Sequence, residues 1–159
     1  GFIDNTAPGM DNANVFWKRL LTWEKLDTLM MSVNYLQGTV PSDAAVRNMG
    51  IRDYTSADRG DSLTVDFINL QLPRVLPNIK RFAFNYNRLN GELPMWILYH
   101  PNFNYWLPDS FIFNQEGTDK NGVKAEFSNV PISLGNYSNV PGNHGSYYDI
   151  HPYKLDDNK

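Results

Sequence analysis

The sequence predicts an α/β solenoid, in which short parallel strands stack coil upon coil and helical or extended segments close each turn. Three observations lead there. One spelling occurs twice at fixed internal offsets, short runs alternate apolar with polar residues, and the chain has no cysteine to staple a small irregular fold. With 159 residues, 42% hydrophobic and 14% aromatic, the chain suits one domain, 1–159, with a sizeable core, and is too apolar for disorder.

The elements follow in order. Segment 11–25 reads as an amphipathic helix with Val15, Phe16, Leu20 and Trp23 near one face and Asp11 or Asn12 as N-cap. It caps the first coil, because an open solenoid otherwise exposes its end. About four irregular repeats are expected across 26–114. The first is spelled Leu26, Leu29, Met31, Asn34, Leu36, Gly38, Val40, Pro41, and it returns as Ile79, Phe82, Phe84, Asn87, Leu89, Gly91, Leu93, Pro94. Leu29 with Met31, and Phe82 with Phe84, have the period of a strand and point to one side. A strand this short cannot bury that side alone, so neighbouring coils must share it. The amides of Asn34 and Asn87 suit an inward turn, where they satisfy backbone groups of their own coil and the next. Gly38 and Gly91 permit the bend, and Pro41 and Pro94 set the extended exit.

Between these units, Leu63, Val65 and Phe67 alternate with polar residues and read as another strand, ending at Leu72-Pro73. Ending that unit at Leu76-Pro77 instead leaves too short a coil before Pro94. The long interval from Pro41 to Pro73 implies an insertion within 42–60. After Pro94, Met95 to Tyr99 opens as a helical turn that Pro101 stops. Phe111-Ile112-Phe113 reads as a fourth strand. Segment 115–127, with Thr118-Asp119-Lys120-Asn121-Gly122 at its centre, reads as a β-hairpin. The remainder, to 159, completes an irregular C-terminal cap in which Ile132, Leu134, Tyr137, Tyr147, Tyr148, Ile150 and Tyr153 supply apolar surface.

The repeated spelling resembles the leucine-rich repeat family, in its Leu-x-x-Leu-x-Leu-x-x-Asn-x-Leu-x-Gly-x-Ile-Pro subtype. That subtype is common in extracellular receptors and in surface proteins of gut-dwelling anaerobic bacteria. The matched segments cover roughly half the chain, as short consensus repeats with atypical ends do. Leu93-Pro94-x-Trp96-Ile97-Leu98-x-His100-Pro101, followed by Trp106-x-Pro108, looks like the terminal coil of the bacterial group. The middle unit departs from the pattern, with Leu70 at the Asn position and Asn69 one residue out of register. The resemblance implies a right-handed coil with a parallel sheet on its concave face. It also implies a non-enzymatic module that binds a protein through that face, without cofactor, at a bacterial cell surface or envelope. Eukaryotic secreted relatives usually carry cysteine-stapled caps, so a cysteine-free chain points to a bacterial source. The chain starts at Gly1, so an export signal or lipid anchor is expected to have been removed.

In the strand register, the side chains between the buried ones line the concave face. These are Thr28, Met30 and Ser32; Thr64 and Asp66; Arg81, Ala83 and Asn85; and Ile112 and Asn114. The set is mostly small and uncharged, which suits a protein or glycan surface better than a compact metabolite. A glycan-binding alternative rests on Tyr105, Trp106, Tyr147 and Tyr148, whose rings stack on sugars when exposed; large aromatics more often bury. A third reading makes the chain the structural C-terminal part of a larger adhesin.

Other chemistry is sparse. A net charge of −3 without a Lys/Arg run argues against nucleic acid and anionic membranes, and no apolar run is long enough to span a bilayer. Arg59-Gly60-Asp61-Ser62 spells an integrin-type string, but so short a match is readily produced by chance and it reads as a polar turn before Leu63. Asp119-x-Asn121-Gly122 opens like a calcium loop but has Ser128 where the bidentate Glu belongs, so it reads as a turn. His100, His144 and His151 lack metal-ligand spacing, and nothing joins Asp109 to Glu116 as an acid–base pair. No nucleophile elbow, phosphate loop or dinucleotide fingerprint occurs, so no catalytic residue is assigned. Asn136-Tyr137-Ser138 fits the N-glycosylation pattern, relevant only in a eukaryotic source.

Overall fold

A computed structural model describes residues 13–58, 71–103 and 115–129. It is a mixed α/β structure built on two small parallel sheets. Helix α1 (Ala13–Leu21) leads to β1 (Thr28–Met30) and β2 (Gln37–Thr39), then to α2 (Asp43–Asn48) and a 3-10 turn at Ser56–Asp58. Strands β3 (Arg81–Ala83) and β4 (Arg88–Asn90) and the short helix α3 (Met95–Leu98) follow.

The two spellings lie side by side. β1 pairs with β3 in parallel, with Thr28, Leu29 and Met30 opposite Arg81, Phe82 and Ala83. β2 pairs with β4 in the same sense, with Gly38 opposite Leu89. In β1 and β3 each residue therefore faces its counterpart in the repeat. The Leu63–Val65–Phe67 strand lies outside the described residues. β1 hydrogen-bonds directly to β3. The expected strand at Phe111 also lies outside the described residues.

Asn87 shows why the spelling is kept. Fully buried, its Oδ1 accepts from the backbone N–H of Asn34 (2.9 Å) and of Leu36 (3.1 Å). Its Nδ2 donates to the carbonyls of Met31 and Phe84, both at 2.8 Å. One amide thus saturates polar groups on two units at the place where the chain turns away from the sheet. Pointing Asn34 and Asn87 inward requires left-handed backbone beside them: φ is +58° at Val33 and Tyr35 and +57° at Tyr86. For a β-branched valine this conformation is costly, and the amide network offsets it.

A third run of chain continues the stack. Successive N–H groups of a strand point to opposite sides. Arg88 N–H donates back to Leu36, whereas Leu89 N–H donates forward to Gln115 Oε1 at 3.0 Å. Gln115 Nε2 in turn donates to the Phe84 carbonyl. Gln115 therefore serves the second unit as Asn87 serves the first. Further along, Gly91 bridges Phe127 in parallel, and Asn129 brackets the backbone of Leu93. The expected hairpin is reduced to a turn, with one antiparallel bridge from Thr118 to Lys124.

Apolar sides converge on one core. Trp17 stacks on Phe84 at 5.6 Å, Phe82 meets Phe84 edge-on at 4.9 Å, and Trp96 tilts against Phe82. Leu36, Val46, Ile79, Leu89 and Ile97 are fully enclosed. The N-terminal helix ends short of 25; it buries the expected Phe16, packs Leu20 partly against the core, and adds Trp17 and Leu21. It ends at Leu21, so Trp23 leaves the helical period and is 64% exposed. The 42–60 segment contains α2, capped by Ser42 Oγ accepting from Ala45 N–H. Asp43 of that helix caps α3, its two oxygens accepting from Met95 and Trp96 N–H at 2.9 Å each. Trp96 Nε1 donates to the Pro41 carbonyl. Both ties link the proline exits of the two units.

An ion cluster pins the connecting segment. Arg52 grips Asp58 with two nitrogens at 2.8 and 2.7 Å, and Arg74 reaches both Asp58 and Glu24 at 3.3 Å. The Arg52 hydrogen bonds, opposed by partial burial and aided by the Thr55 N–H, hold the Asp58 carboxyl well below the usual carboxylate range. A carboxyl harder to protonate folded than unfolded stabilises the fold fully above its unfolded pKa, about 3.9. That contribution disappears as pH falls toward the folded value. Asp58→Asn is therefore expected to lower stability at pH 7 by about 1–3 kcal/mol, and by clearly less near pH 2. Urea titrations at the two pH values check this; an equal loss at both would refute it.

Candidate functional site

The exposed surface of β1 and β3, with the turn that follows each strand, is the part of the described structure best suited to meet a partner. Thr28 and Arg81 are exposed and stand opposite each other. Next along, Met30 is 65% exposed beside Ala83, which is buried rather than presented. A methyl group on a strand is overshadowed by longer neighbours, so the expectation for Ala83 is corrected. Ser32 and Asn85 are half-buried, and Asn85 Oδ1 is a buried acceptor with no hydrogen-bond donor among the described residues. Thr64, Asp66, Ile112 and Asn114 lie outside the described residues.

Beyond the strands the surface gains side chains that sequence reasoning missed. Val33 is 57% and Tyr86 51% exposed, and these two are counterparts, joined by Val33 N–H donating to the Asn85 carbonyl. Tyr35, 44% exposed, lies under Arg88, whose guanidinium carbon is 4.7 Å from the ring centroid. The signal was available: each flanks an Asn that must point inward, so its own side chain must point outward.

The other candidates resolve into structure. His100 is buried, with Nε2 at 2.9 Å from the carbonyls of both Val75 and Leu76 and Nδ1 accepting from Asn102 N–H. It holds a turn and offers no open nitrogen. Asp119 Oδ1 accepts from Asn121 and Val123 N–H, and Oδ2 accepts from Asn90 Nδ2. The Val123 bond chiefly lowers its pKa. That is a turn-stabilising carboxylate. No group of three His, Asp or Glu able to hold a metal occurs among the described residues. Arg59-Gly60-Asp61, Tyr105, Trp106, Asp109, Asn136, His144, Tyr147, Tyr148 and His151 lie outside the described residues.

A cleft of about 640 Å³ opens between the proline exits, beside Trp17, Thr39, Asp43, Glu92 and Asn129. Its polar side chains are largely committed, Asp43 to α3 and Asn129 to Leu93. The sheet surface is therefore the stronger candidate. Among the described residues no helix is long and apolar enough to cross a membrane. No family model, curated protein or solved structure matches this chain.

Proposed function

We propose that this chain is a non-enzymatic binding module that takes a protein partner on the exposed side of its parallel strands, within a solenoid of the leucine-rich repeat type. The supporting observation is the group of exposed apolar and aromatic side chains on the two units: Met30, Tyr35, and Val33 with its counterpart Tyr86. Exposed methionine and tyrosine on rigid, hydrogen-bonded backbone supply contact area at low entropic cost, as protein interfaces require. An extracellular or cell-surface setting is part of the same proposal and rests on the resemblance of the repeat.

The test uses Met30→Asp and Tyr86→Ala, with Asn48→Ala on α2 as control. All three positions are exposed, so each variant is expected to stay within about 0.5 kcal/mol of wild type in urea unfolding. Immobilised wild type and the control are expected to retain a partner from bacterial and host surface extracts. The first two variants are expected to lose it at least tenfold, a cost of about 1.4 kcal/mol. Equal capture by all variants would overturn the proposal.

A further inference from the structure

Along the two strand-and-turn runs the ionised residues are cationic, with carboxylates only at the margins: the Asp27 carbonyl takes the Lys80 and Arg81 N–H groups, and Glu116 N–H donates to the Asn87 carbonyl. No ionisable residue occurs between 28 and 34, Tyr35 is the single one between 35 and 41, and the ionised residues between 80 and 91 are Lys80, Arg81 and Arg88. The whole chain is acidic, at −3, so the cationic strip stands against the overall balance. Among the six described arginines, Arg47, Arg52 and Arg74 are engaged by carboxylates. Neither Arg81 nor Arg88 forms a salt bridge among the described residues, and both stand on the strand and turn surface with Met30, Val33, Tyr35 and Tyr86.

We infer that the partner is an extended protein segment bearing carboxylates spaced among apolar side chains, with Arg81 and Arg88 as its anionic anchors. This rests on the binding reading above and names the chemistry of the occupant. Arg81 and Arg88 lie seven positions apart along one unit and bracket Ala83 and Tyr86. An extended chain advances about 3.3 Å per residue, so acidic residues several positions apart meet both cations while the side chains between them pack on Met30, Val33 and Tyr86. Arginine suits the role because its planar fork takes a carboxylate through two parallel bonds. Arg88 is also held in place by the Tyr35 ring, which limits the freedom lost on binding. The apolar members favour a polypeptide over an acidic glycan, because Met30 and Val33 have no ring face on which a sugar would stack.

The experiment selects random twelve-residue peptides displayed on phage against the whole chain, with Met30→Asp/Tyr86→Ala as the counter-selection target. The enriched pool is expected to be rich in Asp and Glu interleaved with apolar residues. Its members are expected to bind Arg81→Glu/Arg88→Glu at least about tenfold more weakly, and to weaken with added salt. Lysine at both positions is expected to recover part of the affinity, since charge returns without the fork. A pool enriched over the counter-selection target but neutral or basic would overturn this inference while leaving the surface reading in place. No enrichment over that target would sink the surface reading itself. Saturable binding of polygalacturonate at this strip, with no peptide selected, would overturn the inference in favour of an acidic glycan.

Discussion

Asn87→Ala is expected to remove about 4 kcal/mol of stability, a large share of the 5–15 kcal/mol that holds a typical domain folded. The side chain is fully buried and makes four hydrogen bonds, three of them to the preceding unit. Truncation leaves the N–H groups of Asn34 and Leu36 and the carbonyl of Met31 without those partners. Each buried orphan costs about 1–3 kcal/mol, less what relaxation and entering water recover. The Phe84 carbonyl suffers least, because Gln115 Nε2 also reaches it at 3.1 Å. Asn87→Asp is expected to be no milder at neutral pH. It keeps an acceptor for two N–H groups but sets a carboxylate against two carbonyl oxygens that need donors. Gln115→Ala removes two bonds at a half-buried position and is expected to cost about 1–2 kcal/mol. Urea unfolding measures all three, and the denaturant slope should stay constant if the native state keeps its extent. A cost below about 1 kcal/mol for Asn87→Ala would mean that the amide does not tie the units together.

Asn87 also marks what was legible in the sequence. A buried turn needs donors and acceptors at fixed places, so an amide between two apolar positions announces its task, and the facing of Leu29 with Phe82 follows from the shared spelling. Apolar strand positions are equally readable, because period two leaves no choice of face. The order of the units was not readable. Pairing of β1 with β3 depends on which strand arrives beside β1, which no local spelling states. Gln115 was hidden because the spelling asks for Asn, and its neighbour Asn114 reads as part of the concave face. One extra methylene lets the glutamine reach the same two groups, and no consensus letter records that equivalence.

The candidate surface was legible only in part. Thr28, Met30 and Arg81 follow from alternation along a strand, but Ala83 sinks because exposure depends on the size of its neighbours. Tyr35, Tyr86 and Arg88 sit in variable positions of the spelling, where identity carries no structural constraint. Their meaning appears only when the inward turn of each Asn is known, since that turn sends the flanking side chains outward. Backbone strain at Val33, Tyr35 and Tyr86 has the same origin. The features that fix the fold and those that present the surface are therefore adjacent residues with opposite directions.

Trp17 separates packing from polarity more sharply than any other core residue. It is 1% exposed, meets Phe16 edge-on at 5.2 Å and stacks on Phe84, so it joins the capping helix to the second unit. Trp17→Ala is expected to cost about 3–5 kcal/mol through lost burial and the cavity left behind. The indole N–H is buried without a hydrogen-bond acceptor among the described residues, a liability of about 1–3 kcal/mol that the packing outweighs. Trp17→Phe deletes that orphan donor together with part of the ring. Its net cost is therefore expected to stay under about 1.5 kcal/mol, well below the loss usual for removing so much buried surface. The contrast with Trp96 makes the point testable, because Trp96 Nε1 donates to the Pro41 carbonyl at 2.8 Å. Trp96→Phe orphans that carbonyl and is expected to cost more than Trp17→Phe by about 1 kcal/mol or more. Paired urea curves decide it. Equal losses for the two phenylalanine variants would show that the Trp17 donor is satisfied in solution, and would place an acceptor or a water at the junction of cap and core.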